Sequence, residues 1–347
     1  MVFVQKSKQH VWLLFLLLVL GSNMALYRTD FGFSILEQFD YSGAVLGSLF
    51  DLVIVSPILI FVWKKQKSIK LLILLMASGL IFARFLIPMN YLKPFVAVTW
   101  LGFAIEIAFV IIELLLIVTL FRFLPKIIAS TKESTLPILF AFPKAVDSHV
   151  KKHPIIQIIC SEMLMFYFAF ASYRNKPQNS KNTLTIHKNS SYIAFQIMLI
   201  HAIVIETLGI HWWLHDKSML LSILLLVLNI YSVILIVADI QAIRLNPLYI
   251  DENQFYISLG LMKRMEIRWD EIEEIITDPE ELQQKLTKDT IDFIPRDFME
   301  VYPDVILKLK KPKEAVLIMG IKKTYDRVAI KLDDFHAFHG ALNKYRD

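Results

Sequence analysis

Residues 192–240 hold two apolar runs, YIAFQIMLIHAIVIETLGIHWW and SMLLSILLLVLNIYSVILIVAD, parted by a short link ending in His215-Asp216-Lys217. A helix needs about 20 mostly apolar residues to cross the hydrocarbon core of a bilayer. Each run meets that length, so the chain must offer these segments either to lipid or to a very large core. The rest of the composition selects lipid. Of 347 residues, 56% are hydrophobic and the mean hydropathy is +0.52, with the excess gathered in blocks. Inside lipid every backbone polar group must be paired within the segment, so the blocks are expected as a helical bundle.

Six blocks read as spans, at about residues 11–27, 43–63, 71–89, 95–121, 192–212 and 218–239. The first has the length of a signal peptide, but Gly21-Ser22-Asn23-Met24-Ala25 offers no clean small-x-small cleavage site, so it is read as a retained span. Lysines mark one side: Lys6 and Lys8 before the first span, Lys64, Lys65, Lys67 and Lys70 after the second, and a basic stretch beyond Arg122. Residues 28–42, with Asp30, Glu37 and Asp40, are acidic. Cytoplasmic loops carry the excess of Lys and Arg, so both termini are expected inside a plasma membrane. Trp212 and Trp213 fall where an interfacial aromatic belt belongs.

Residues 154–173, PIIQIICSEMLMFYFAFASY, are nearly long enough to span. Their flanks are basic on both sides, with Lys151 and Lys152 before and Arg174, Lys176, Lys181 and Lys188 after. Crossing would put one basic flank outside. The segment is therefore read as an interfacial or re-entrant helix, with a seventh span as the alternative that inverts the later topology.

From about residue 241 the pattern becomes that of a water-soluble domain. Leu248–Ile250, Phe255–Leu259, Met265–Trp269, Val305–Leu309, Ala315–Met319 and Ala329–Leu332 read as short strands. Pro279–Leu286 reads as helical, and Asp270–Thr277 as strand or helix. Asp333 and Asp334 would cap a closing helix that puts Phe335, Phe338, Leu342 and Tyr345 on one face. The stretch NPLYIDENQFYISLGLMKRMEIRWDEIEEI, the strand VILKLK and the finish RVAIKLDDFHAFHGALNKY resemble a bacterial PH-like domain. The resemblance covers about residues 241–347. It implies a curved antiparallel barrel or sandwich closed by a C-terminal helix, used for binding or scaffolding. The whole chain also resembles a family of multi-pass membrane proteins of Gram-positive bacteria, some of which are labelled carotene monooxygenases. The expected architecture is thus an all-α membrane domain over residues 1–240 and a cytoplasmic PH-like domain over 241–347.

Ionisable residues within spans are costly and point to function by default. Asp51 and Arg84 each lie ~10 Å below the outer surface at 1.5 Å per residue and are positioned to pair. Thr99, Glu106 and Glu113 recur every seventh residue, forming one polar stripe on the fourth span. His201 shares the depth of Glu106, Glu206 lies further out, and Asn229 sits mid-span on the sixth. Together they read either as an ion, proton or solute path or as interhelical hydrogen bonds worth only ~0.6 kcal/mol each. His211 and His215, four residues apart, share a helix face and form a weak candidate metal pair. The carotene label implies iron held by histidines on several spans, but no other span supplies a mid-membrane histidine, so no cofactor is expected. In the tail, Lys308, Lys310, Lys311, Lys322 and Lys323 are candidates for contact with anionic lipid headgroups, or else a solvated strand edge.

The formal net charge is +5, but there is no basic arm or zinc-finger spacing, so nucleic acid is not an expected partner. The single cysteine, Cys160, excludes an intramolecular disulfide. P-loop, nucleophile-elbow and HExxH patterns are absent from the sequence. The expected function is a transport-related, sensory or stress-response membrane module whose partners are the bilayer and, through the tail, headgroups or a cytoplasmic protein. The alternative is a membrane-embedded enzyme acting on a lipid or isoprenoid.

Overall fold

A computed structural model describes residues 2–38, 41–177 and 182–346. Asp40 and Lys181 lie outside them, and the side chains of Lys6 and Lys8 are likewise not described. The chain forms two compact units, Met1–Leu115 and Leu116–Asp347.

The first unit is helical: α1 (Val2–Arg28), α2 (Asp30–Gln38), α3 (Tyr41–Phe50), α4 (Ser56–Trp63), α5 (Ile69–Leu86), α6 (Met89–Leu92) and the start of α7 (Val96–Glu133). A π-helical turn, Asp51–Val55, joins α3 to α4 without breaking the rod. Ser68 caps α5 by accepting from the Leu71 N–H. The buried centre is Tyr27, Leu36, Val45, Leu52, Ala83 and Leu92, and the Tyr27 hydroxyl is satisfied there by Ser48 Oγ at 3.0 Å. The expected fourth span is the core of a longer helix, for α7 runs on to Glu133 through Pro125.

The second unit takes the end of α7, then α8 (Ile138–His149), α9 (Pro154–Phe166), α10 (Tyr192–His215) and α11 (Met219–Leu245). A π turn, Tyr167–Ala171, extends α9. The strands are β1 (Thr183–Leu184), β2 (Leu248–Ile250), β3 (Gln254–Leu259), β4 (Lys263–Arg268), β5 (Ile272–Ile276), β6 (Thr290–Phe293), β7 (Val305–Leu317) and β8 (Lys322–Ile330). A one-turn helix α12 (Pro279–Leu282) and the closing helix α13 (Phe335–Arg346) complete the unit. The strands make one curled sheet in the order β1-β2-β3-β4-β7-β8-β6, with β5 paired to β7.

Alternation decides the inward face. Phe255 and Ile257 pair across from Ile267 and Met265, and all four are buried. The length of β7 produces the curl. Its first half pairs with β5 and its last residues with β4, and its register with β8 shifts between Lys308 and Lys313. Pro312 lies in that irregular stretch, where a ladder hydrogen bond is not required of it. Two features depart from the expected antiparallel barrel. β6 pairs parallel to β8, and β1 comes from before α10, so the sheet recruits chain from upstream of residue 241. Asp333 explains the second feature. It caps no helix. Its carboxylate accepts from the Lys188 and Asn189 N–H groups at 2.9 and 2.8 Å, fastening the β1 loop, while Asp334 alone caps α13 through the Ala337 N–H.

Candidate functional site

Most of the polar residues expected in the helices have local partners. Asp51 accepts from the Asn23 amide at 3.2 Å. Arg84 donates to Thr99 Oγ1 at 3.2 Å and lies 4.5 Å from the centre of the Trp100 ring. The expected Asp51–Arg84 ion pair is therefore not made among the described residues, because each group is already engaged by a helical neighbour. Glu106 accepts from Ser78 at 2.9 Å, and Glu113 lies 3.8 Å from Lys70. These contacts stitch α1 to the π turn, and α5 to α7.

His201 and Glu106 belong to different units, and the His201 ring bonds the carbonyl of Ile197 in its own helix. Glu206 is exposed. Asn229 donates to Thr207 Oγ1 at 2.8 Å, tying α11 to α10. His211 and His215 stack at 5.6 Å between ring centres, yet Nδ1 of His211 is engaged by Ser222 at 2.7 Å. Among the described residues no three of His, Cys, Asp and Glu gather as a metal-ligand set. The donors therefore do not fit the multi-histidine iron site of the carotene reading.

If these contacts are packing links, Glu106→Gln should lose less than about 1 kcal/mol in thermal unfolding, since an amide keeps an acceptor for Ser78. A conducting carboxylate would instead lose ion flux in reconstituted vesicles.

The tail lysines divide. Lys308 pairs with Glu273 and Glu274, Lys322 pairs with Glu314 and Lys323 lies over the Tyr325 ring. Lys310 and Lys311 are exposed in the irregular stretch of β7.

Two features escaped the sequence reading. One is a buried joint. Asp239, on α11, is fully buried and accepts from the Tyr192 hydroxyl of α10 and from the Leu261 N–H in the β3–β4 turn, both at 2.7 Å. Gly260, in that turn, has φ +51°, and a Cβ there would stand 2.1 Å from Asp239 Oδ1. A carboxylate at the end of an apolar run followed by a glycine turn is the sequence signal, but nothing in one dimension brings the two together.

The other is a cavity of about 380 Å3 bounded by α8, α9 and the outer face of β4 and β7. Arg264 lines it. Burial lowers the Arg264 pKa to about 10. Alternation along β4 puts Arg264 and Glu266 on the same face, which reads as solvent-facing until α8 and α9 cover it. Opposite, Lys144 donates to Glu266 at 2.8 Å and to the Tyr256 hydroxyl at 3.3 Å. A second cavity, of about 330 Å3, is apolar and lies among α7, α8 and α9, lined by Leu124, Ile128, Phe142 and Met163.

These parts define a class. Among the described residues seven helices are long and apolar enough to cross a membrane, as in a multi-pass membrane protein, and most of a mixed sheet follows them. Their apolar side chains point outward: Ile205, Leu208, Trp212 and Leu220 are 71, 70, 82 and 80% exposed, a surface that water would not tolerate. No family model, curated protein or solved structure matches the chain.

Proposed function

We propose that the chain is a bacterial plasma-membrane sensor of six crossings whose cytoplasmic PH-like sheet domain binds a ligand at the membrane surface and passes the event to the α10–α11 hairpin. The Asp239 joint carries this reading. It ties α10, α11 and the β3–β4 turn through one buried carboxylate, so a change at the sheet is felt by two spans.

The position of α9 supports six crossings. Near its start Gln157 packs on Gly320, whose Cβ would come within 2.9 Å. Past its other end, Arg174, Asn175 and Lys176 border a cavity with Leu245, three residues before β2. A helix flanked at both ends by the sheet and its connections stays on the sheet's side of the bilayer. Apolar tips face the same way. Phe298 and Met299 are 73 and 76% exposed, and the Phe298 ring meets Phe195, in the first turns of α10, at 4.7 Å. That is the level at which an aromatic side chain partitions into the membrane interface.

Topology tests the reading. In a Cys160→Ser background, single cysteines at Lys67, Asp216 and Lys311 are probed in intact cells with an impermeant maleimide. Six crossings expect label at position 216 only, with 67 and 311 reacting after lysis. If 67 and 311 fall on opposite sides, α9 crosses and the proposal fails.

A further inference from the structure

We propose that the cavity between α8, α9 and the sheet is a binding site for a phosphate-bearing anion, held by the Arg264 guanidinium. The proposal rests on the sheet domain being a binding module and names its ligand class. Four lysines line the cavity, and each already has a carboxylate: Lys144 has Glu266, Lys152 has Asp147, Lys313 has Glu271 and Lys322 has Glu314. Arg264 lines the same space and makes neither a side-chain hydrogen bond nor an ion pair with any described residue. A guanidinium carries five N–H donors in a rigid fork. Arg264 is half-buried, and a guanidinium partly withdrawn from water without an acceptor gains from an anion that pairs its charge.

Charge and size narrow the ligand. Five formal cations line the cavity, and the four carboxylates that pair with its lysines, Asp147, Glu266, Glu271 and Glu314, leave one positive charge over, that of Arg264. That charge selects an anion, and a planar fork matches two phosphate oxygens at once. A volume of about 380 Å3 lies in the range of small-molecule sites and leaves room for an organic group beyond the phosphate. The mouth shares Lys322 and Gly320 with the turn that carries exposed Met319 and Ile321. A phosphate can therefore arrive from solution or on a lipid headgroup.

The test uses the full-length protein. Its melting temperature is measured in detergent with inorganic phosphate against chloride of equal ionic strength, and in phosphatidylcholine nanodiscs with and without phosphatidic acid. A saturable upward shift of several degrees is expected. It should be lost in Arg264→Met and kept in Lys285→Gln, whose exposed lysine lies outside the cavity. A shift with free phosphate assigns a soluble ligand, and a shift with phosphatidic acid alone assigns a headgroup. In phosphate-free buffer Arg264→Met should be at least as stable as the native chain, because it removes an uncompensated charge. Absence of any Arg264-dependent shift with either probe overturns the proposal, and so does an Arg264→Met variant that melts lower in phosphate-free buffer. Neither result alters the labelling pattern that tests the topology.

Discussion

Asp239→Ala should destabilise the second unit by about 3 kcal/mol or more. The substitution leaves the buried Tyr192 hydroxyl and the half-buried Leu261 N–H, both now 2.7 Å from the carboxylate, with no acceptor. Each orphaned donor costs roughly 1–3 kcal/mol, and bonds to a charged acceptor stand at the upper end. Asp239→Asn should cost less, since one oxygen can still serve one donor. Gly260→Ala should approach the alanine variant from the other side of the joint: its Cβ would overlap the carboxylate, and a positive φ is unfavourable for any residue with a Cβ. Thermal unfolding in detergent, with limited proteolysis of the β3–β4 turn, measures all three. An Asp239→Ala protein within about 0.5 kcal/mol of the native one, the scatter of ordinary surface substitutions, would remove the joint from the account of signalling.

Phe338→Ala should cost about 3–5 kcal/mol, the range for deleting a fully buried aromatic ring. Phe338 has no exposed surface. Its ring meets Phe255 edge-on at 5.4 Å and lies 6.4 Å from Trp269, while Trp269 stacks on Tyr345 from the same helix. This aromatic group is what holds α13 on the open side of the curled sheet. Its loss should release residues 335–346 to protease and raise Trp269 exposure in quenching experiments, while the apolar helices of the first unit keep their far-ultraviolet signal. Unchanged protease resistance would mean that the other apolar residues of α13 suffice.

The two variants probe different links in the chain of events proposed above. Phe338 tests whether the sheet keeps its shape, and Asp239 tests whether that shape is coupled to α10 and α11. The Arg264 cavity lies between them in role, because β4 leaves the turn that Asp239 anchors and carries the guanidinium one residue further on.

Much was legible in one dimension because it depends on local period and length. The apolar runs gave the long helices, since a run of that size has few other places to go. Phe255, Ile257, Met265 and Ile267 alternate as a half-buried strand pair must, and the face of α13 is written in Phe335, Phe338, Leu342 and Tyr345.

Other features were decided only by the tertiary structure. β6, Thr290–Phe293, was not read as a strand, because a four-residue segment paired parallel to β8 draws its partner from 37 residues away. Asp51 and Arg84 were expected at one depth, yet depth does not fix azimuth, and Asn23 and Thr99 took their hydrogen bonds. Arg264 sits on a strand face that alternation assigns to water, and the covering helices come from 100 residues earlier in the chain, beyond the reach of any periodic signal. The sequence thus determined which segments are apolar and which alternate, because those properties are local. Which charges lose their water, and which of them find a partner, was decided by long-range packing, because desolvation depends on what covers a residue and not on its neighbours in the chain.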